Sequence, residues 1–138
     1  MNGKAFLDTN LLIYLYSEKE LAKRSIACEI IDKYDCMISI QSIKEASNVW
    51  YKKFGWNGAK IEKHINNLVL LCDDILQISI KTVFSAISIK DKYAFSFYDC
   101  LIIASAIEAD CELLFSEDMQ DGQVINGTLK ITNPFGIT

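Results

Sequence analysis

The chain is poor in the residues that punctuate and cross-link proteins: among 138 residues there is one proline, Pro134, one histidine, His64, and six glycines. No Pro-, Gly- or Ser-rich linker, low-complexity tract or internal repeat divides it, so residues 1–138 read as a single domain, long enough to bury a hydrophobic core. No apolar run approaches the length needed to cross a bilayer. The start, Met1-Asn2-Gly3-Lys4-Ala5-Phe6-Leu7, lacks the charged and apolar regions of a signal peptide, and the cytosol is the expected location. The five cysteines (Cys28, Cys36, Cys72, Cys100, Cys111) are odd in number and widely spaced. That spacing excludes a zinc knuckle and a redox Cys-x-x-Cys, a disulfide framework is not expected in a cytosolic chain, and the cysteines read as small core residues. A catalytic thiol would need a histidine, and only His64 is available.

Positive charge is also scarce. The net charge of −4 counts against a high-affinity nucleic-acid scaffold. The deficit is local: residues 1–98 carry 13 Lys plus Arg against 11 acids, whereas residues 99–138 carry one Lys and seven acids. A site crowded with carboxylates repels phosphate until cations reverse its sign.

What is present is alternation. Lys4 to Leu7 predicts a short strand running into Asp8, and Asp8-Thr9-Asn10 offers helix caps before Leu11 to Leu15. Leu21 to Lys33 has helical periodicity, and Cys36 to Ile40 is a second apolar strand. Ser42, with Glu45 three residues on, has the spacing of a capping box for a helix that runs to about Phe54 and stops at Gly55. Another helix follows Asn57-Gly58 to about Leu71. A strand from Asp74 to Ile78, a helix from Ser79 to Tyr93 and an apolar helix from Ser96 to about Asp110 come next. Glu112 to Phe115 is a fourth strand, and Thr128 to Ile131 an edge strand. Apolar strands alternating with helices imply an α/β fold, a three-layer α/β/α sandwich around a mostly parallel sheet of four to five strands.

In such sheets ligands bind beyond the carboxyl ends of the strands. Asp8 follows the first strand directly, Glu45 lies in the helix after the second, and Asp118 follows the fourth by three residues. Asp99 opens the helix that leads into the fourth strand, and that helix starts at the same edge. Each acid has a plain structural explanation as a capping or loop residue. Four together on one rim would repel one another without a cation, and a set of hard oxygen ligands selects Mg²⁺ or Mn²⁺ over zinc.

Phe6-Leu7-Asp8-Thr9-Asn10 resembles the opening of PIN-domain nucleases. Ser42-Ile43-Lys44-Glu45-Ala46-Ser47-Asn48-Val49 is similar to the segment with the family's second acid. Ser96-Phe97-Tyr98-Asp99-Cys100-Leu101-Ile102-Ile103-Ala104-Ser105-Ala106 is similar to its third-acid helix. Leu114-Phe115-Ser116-Glu117-Asp118-Met119-Gln120-Asp121-Gly122 resembles the Ser/Thr-x-Asp segment that closes the site. Within the family the sequence looks most like the VapC-type toxins of prokaryotic toxin–antitoxin pairs. The resemblance implies a PIN-like fold and a Mg²⁺- or Mn²⁺-dependent endoribonuclease. Asp8, Glu45, Asp99 and Asp118 would be its catalytic metal ligands, with Asp8 central. It also implies that Thr9 or Ser116 positions the water or steadies a ligand, and that the partners are RNA, a cognate antitoxin and a second copy of the chain. In the two-metal logic of in-line displacement the products carry a 5′ phosphate and a 3′ hydroxyl.

Some features keep two readings. Asn10 either orients Asp8 or caps the helix, the cap being the plainer role. Asp121 and Glu117 are outer acids of the site or solvated loop charge. Trp50-Tyr51-Lys52-Lys53-Phe54-Gly55-Trp56 packs one helix against another, stacks on RNA, or forms a partner patch. His64 is expected to face solvent, and Phe135 to anchor a turn at Asn133-Pro134. A haloacid-dehalogenase-type phosphatase would need an acid where Asn10 stands. A receiver domain would need a phosphoacceptor Asp after the third strand, where Ser79 and Ile80 lie. A catalytically silent PIN-like binding module would have lost one of the four acids.

Overall fold

In a computed structural model that describes residues 3–136, the strands alternate their side chains between two cores, which is what makes three layers. Strand β1 is Lys4–Leu7, β2 Asp35–Ser39, β3 Asp74–Leu76 and β4 Leu113–Phe115. Ala5 and Leu7, Cys36 and Ile38, and Phe115 enter one core, while Phe6, Met37 and Leu114 enter the other. The period of two in the strands thus delivers apolar groups to both faces of the sheet, as a doubly covered parallel sheet requires.

One face carries α1 (Thr9–Leu15), α2 (Leu21–Lys33), α3 (Ile40–Lys52) and α4 (Gly58–Leu71); the other carries α5 (Ile80–Lys92) and α6 (Phe97–Glu108). In α6 every residue from Cys100 to Ala106 is buried. A helix apolar on all sides belongs between the sheet and a second helix, here α5. It ends where Asp110 takes a left-handed conformation (φ 58°) and Cys111 N–H donates to the Ala106 carbonyl at 3.0 Å.

The sheet has six strands in the order β3-β2-β1-β4-β6-β5, with β5 Val124–Ile125 and β6 Leu129–Thr132. All neighbours are parallel except β5 and β6. This exceeds the expected four to five strands because β5, two residues long, has no periodicity to detect. The segment expected as an edge strand is β6, which lies inside the sheet between β4 and the true edge, β5.

Three further expectations change. The helix cap at Ser42 is really Ser39, whose hydroxyl accepts from Gln41 N–H at 3.1 Å. The chain turns from β2 into α3 with no loop, so Ser42 falls inside the helix and is fully buried. His64 is half-buried rather than solvent-facing, edge-on to Tyr16 and packed against Trp56, each at 4.6 Å between ring centroids. Of the cysteines, Cys28 is exposed and the other four are buried. Burial pushes the Cys36 and Cys72 thiols up to about 12, so both stay protonated near neutral pH and serve as packing groups. As expected, Phe135 anchors the tail, edge-on to Tyr14 at 5.0 Å. Among the described residues no helix is long and apolar enough to cross a membrane.

Candidate active site

Asp8 is the first residue beyond β1, and three constraints hold it. Its N–H donates to the Phe115 carbonyl at 3.0 Å, its Oδ1 accepts from Thr9 N–H at 2.7 Å as the N-cap of α1, and its Oδ2 accepts from the Ser116 hydroxyl at 2.8 Å. The side chain is only 8% exposed. Burial pushes its pKa up to about 6; the bonds from Thr9 and Ser116 oppose the shift, and the charges of Asp99 and Glu45 add to it.

The other acids come from separate elements. Glu45 stands exposed in the second turn of α3. Its Oε1 accepts from the Thr9 hydroxyl at 2.6 Å and its Oε2 from the Gln41 amide at 3.4 Å. Asp99 lies in the first turn of α6, where its N–H donates to the N-cap Ser96 hydroxyl at 3.1 Å. Burial raises its pKa, the Ser96 bond lowers it, and the charges of Asp118 and Glu45 raise it again. Asp118 is exposed beyond β4, and its Oδ2 accepts from the Asn10 amide at 2.8 Å.

The four acids therefore share one rim. Asp8 feels Asp99 and Glu45, and Asp99 feels Asp118 and Glu45. Among the described residues the ion pairs are Lys23–Glu117 and Lys60–Glu18, so no Lys or Arg neutralises the four. Nor do any three His, Cys, Asp or Glu side chains among those residues converge tightly enough to enclose an ion. In this arrangement Glu45 accepts from Thr9 and Gln41, and Asp118 from Asn10. Both acids are exposed, while Asp8 is buried and fixed by its bonds to Thr9, Ser116 and Phe115. An all-oxygen donor set with one buried member and exposed outer ones suits a hard divalent cation.

The supporting residues divide. Thr9 holds Glu45 and Ser116 holds Asp8. Asn10 is no cap, since Asp8 fills that position; it lies inside α1 and binds Asp118. Asp121 is exposed and accepts from Asn133 N–H at 2.8 Å, tying the β4–β5 loop to the chain after β6. Glu117 pairs with Lys23 and Tyr14, whose bonds hold its carboxyl below the usual range against the effect of burial. These two acids have structural partners of their own. Gln41 was missed by sequence reasoning. It is 9% exposed, and its amide reaches both Glu45 and the Tyr98 carbonyl at 3.4 Å, joining α3 to α6 beside Asp99. Its one legible signal was a position four residues before Glu45, on the same helix face.

A PIN-domain family model matches residues 5–120. No curated protein matches the sequence. Among solved structures, a chain of a toxin–antitoxin complex from Klebsiella pneumoniae superposes with a TM-score of 0.71 at 23% identity, over 96% of this chain and 99% of that one. The Mycobacterium tuberculosis toxin VapC20, described as cleaving the sarcin–ricin loop, gives 0.63 at 15% identity over 83% and 91%. A chain of VapBC2 from Rickettsia felis, bound to promoter DNA, gives 0.65 at 15% over 94% and 99%. At these identities the likeness is one of fold.

Proposed function

The chain belongs to the PIN-domain family, and from that premise we propose that it is a Mg²⁺- or Mn²⁺-dependent endoribonuclease, the toxin of a toxin–antitoxin pair. The observation that carries this reading is the gathering of Asp8, Glu45, Asp99 and Asp118 on one rim with no basic partner among the described residues. Buried and half-buried carboxylates that raise one another's pKa lower the stability of the apo protein, and a divalent ion relieves that repulsion. The family and the fold of the toxin chains agree with this chemistry.

Asp8, Glu45, Asp99 and Asp118 are the residues that would hold the ion, with Asp8 central. When bound, the ion supplies neutralising charge for the scissile phosphate and for the attacking and leaving oxygens of an in-line displacement. The protein's own part is preorganisation. Thr9 N–H and the Ser116 hydroxyl fix Asp8 before any ligand arrives. Thr9 and Gln41 restrain Glu45, and Asn10 restrains Asp118. Asp8, raised to about 6, is largely ionised above neutral pH and ready to bind a cation. Ion binding therefore weakens as pH falls through 6, where a proton competes for the same oxygens.

RNA is the substrate in this reading, and an antitoxin and a second copy of the chain are the protein partners. Ile80, Phe84 and Ile87 follow one stripe of α5 and are 70%, 64% and 47% exposed, apolar area of the kind that protein partners cover. The test is cleavage of single-stranded RNA with Mg²⁺, with excess EDTA, and with Asp8→Asn. EDTA should stop cleavage, and the variant should lose about a thousandfold or more in rate while keeping its fold. Asn preserves the N-cap acceptor, so folding is not the variable. Cleavage that persists in EDTA or in Asp8→Asn overturns the reading. A wild type inert toward RNA, with Mg²⁺ bound or not, leaves the silent binding module.

A further inference from the structure

Asp118 sits on the one stretch of the rim that regular structure does not hold. Asp8 caps α1, Glu45 lies in α3 and Asp99 in α6, whereas Asp118 lies in the irregular segment between β4 and β5. Among the described residues, 117–121 make no backbone-to-backbone hydrogen bond. Side chains therefore set where this segment lies. Asp121 ties its far end to Asn133 N–H, and the buried Met119 donates its own N–H to the Ser116 hydroxyl at 3.3 Å.

Glu117 holds the near end. Its two carboxylate oxygens take separate donors: Oε1 accepts from the Tyr14 hydroxyl, and Oε2 pairs with the Lys23 ammonium. Lys23 Nζ also donates to the Tyr14 hydroxyl at 3.2 Å and lies over the Tyr14 and Phe135 rings, 4.6 and 5.5 Å from their centroids. The Lys23 and Glu117 side chains are 31% and 23% exposed, and the aromatic faces beside the ammonium make this cluster firmer than an open surface ion pair. Tyr14 stands four residues after Asn10, on the same stripe of α1. The consecutive acids Glu117 and Asp118 thus dock one turn apart on a single seven-residue helix whose N-cap is Asp8. Lys23 cancels the charge of Glu117, so this anchor adds no net negative charge beside Asp118.

We propose that Tyr14, Lys23 and Glu117 are positioning residues for Asp118: they latch the segment after β4 onto α1 and α2 and so set the Asp118 carboxylate for the divalent ion. The proposal rests on the metal-dependent reading and extends it from the four acids to what holds the one that lies in a loop. A cluster that served only to stabilise the fold would leave ion affinity unchanged. One that acted only through its charges would change affinity with the sign of the charge removed.

The experiment titrates Mn²⁺ alone into the metal-free full chain by calorimetry. The proteins compared are the wild type, Tyr14→Phe, Lys23→Met, Asp118→Asn and the double variant of Tyr14→Phe with Asp118→Asn. Tyr14→Phe keeps the ring against Phe135 and changes no charge, yet it should weaken Mn²⁺ binding about tenfold, because a ligand has lost the group behind it. Lys23→Met keeps the stem and takes away a positive charge, so electrostatics alone would tighten Mn²⁺ binding; the latch weakens it, again by about tenfold. On the Asp118→Asn background, Tyr14→Phe should have no further effect, since it acts only through Asp118. Wild-type affinity in Tyr14→Phe, tighter binding by Lys23→Met, or full additivity in the double variant overturns the proposal. The wild type and Asp118→Asn separate the two levels of the argument. A wild type that binds no Mn²⁺ overturns the metal-dependent reading and the latch with it. Binding that Asp118→Asn weakens and both latch substitutions leave untouched overturns the latch alone.

Discussion

The acid rim and the aromatic cluster around Tyr16, Trp50 and Trp56 lie toward opposite ends of α1 and α3, and opposite physics holds them together. At the rim, Asp8 gives up water for two hydrogen bonds and gains the repulsion of Asp99 and Glu45. In the cluster, Trp50 and Trp56 stack, His64 packs against Trp56, and Lys60 covers the Trp56 face. Every contact in the second region contributes to folding by itself. Those in the first include some that oppose it. The aromatics stabilise one another, whereas the four acids, with no basic partner among the described residues, repel one another.

The comparison breaks if stability responds the same way at both ends. Trp50→Ala should destabilise by about 3–5 kcal/mol, read as a lower urea midpoint, because it removes a fully buried ring from a stacked pair. A loss under about 1 kcal/mol would mean that the Trp50 ring is not part of the core.

Asp8 should act in the opposite direction in metal-free buffer. Its pKa is about 6 in the fold against 3.8 in the unfolded chain, so the fold binds its proton more tightly. The associated stability is fully present below about pH 4, is lost as pH rises through 6, and amounts to roughly 3 kcal/mol. Chemical denaturation of the wild type between pH 4 and 8 should show this decline, and Asp8→Asn should flatten it and be the more stable protein at pH 8. Millimolar Mg²⁺ should restore stability to the wild type and not to the variant. A variant less stable than wild type at pH 8 would show that Asp8 favours folding through its two hydrogen bonds more than it opposes it through its charge.

The smallest effect sharpens the picture of the rim. Gln41→Leu keeps the volume, removes a buried Oε1 that lacks a partner, and releases Glu45 and the Tyr98 carbonyl. Thermal stability should hold, while Mn²⁺ affinity measured by calorimetry falls about tenfold, the usual result of losing a support behind a ligand. Unchanged affinity would reduce Gln41 to packing.

Much of the fold was legible because its signals are local. The strands at Lys4, Cys36 and Glu112 showed as short apolar runs, and Ser96 sits where a helix must begin. The Ser39 cap was displaced to Ser42 because both serines offer a hydroxyl and only the absence of a loop after β2 decides between them. Strand β5 was invisible because pairing with β6, not its own two residues, makes it a strand. His64 was misjudged because its lysine and isoleucine neighbours say nothing of Tyr16, 48 positions away in sequence. At the site, the placement of the four acids on one edge followed from their order along the chain, yet the contact of Asn10 did not, since Asp118 is 108 residues distant.

The sequence alone determined the alternation of strands and helices, and with it the edge on which Asp8, Glu45, Asp99 and Asp118 fall. Periodicity and chain direction are properties of neighbouring residues and need no third dimension. Only the tertiary structure decided which donor holds each carboxylate, how far Asp8 is buried, and that the aromatic run at 50–56 closes over Tyr16 and His64. Those outcomes depend on side chains brought together from distant positions, where burial and charge act through space and sequence separation carries no information.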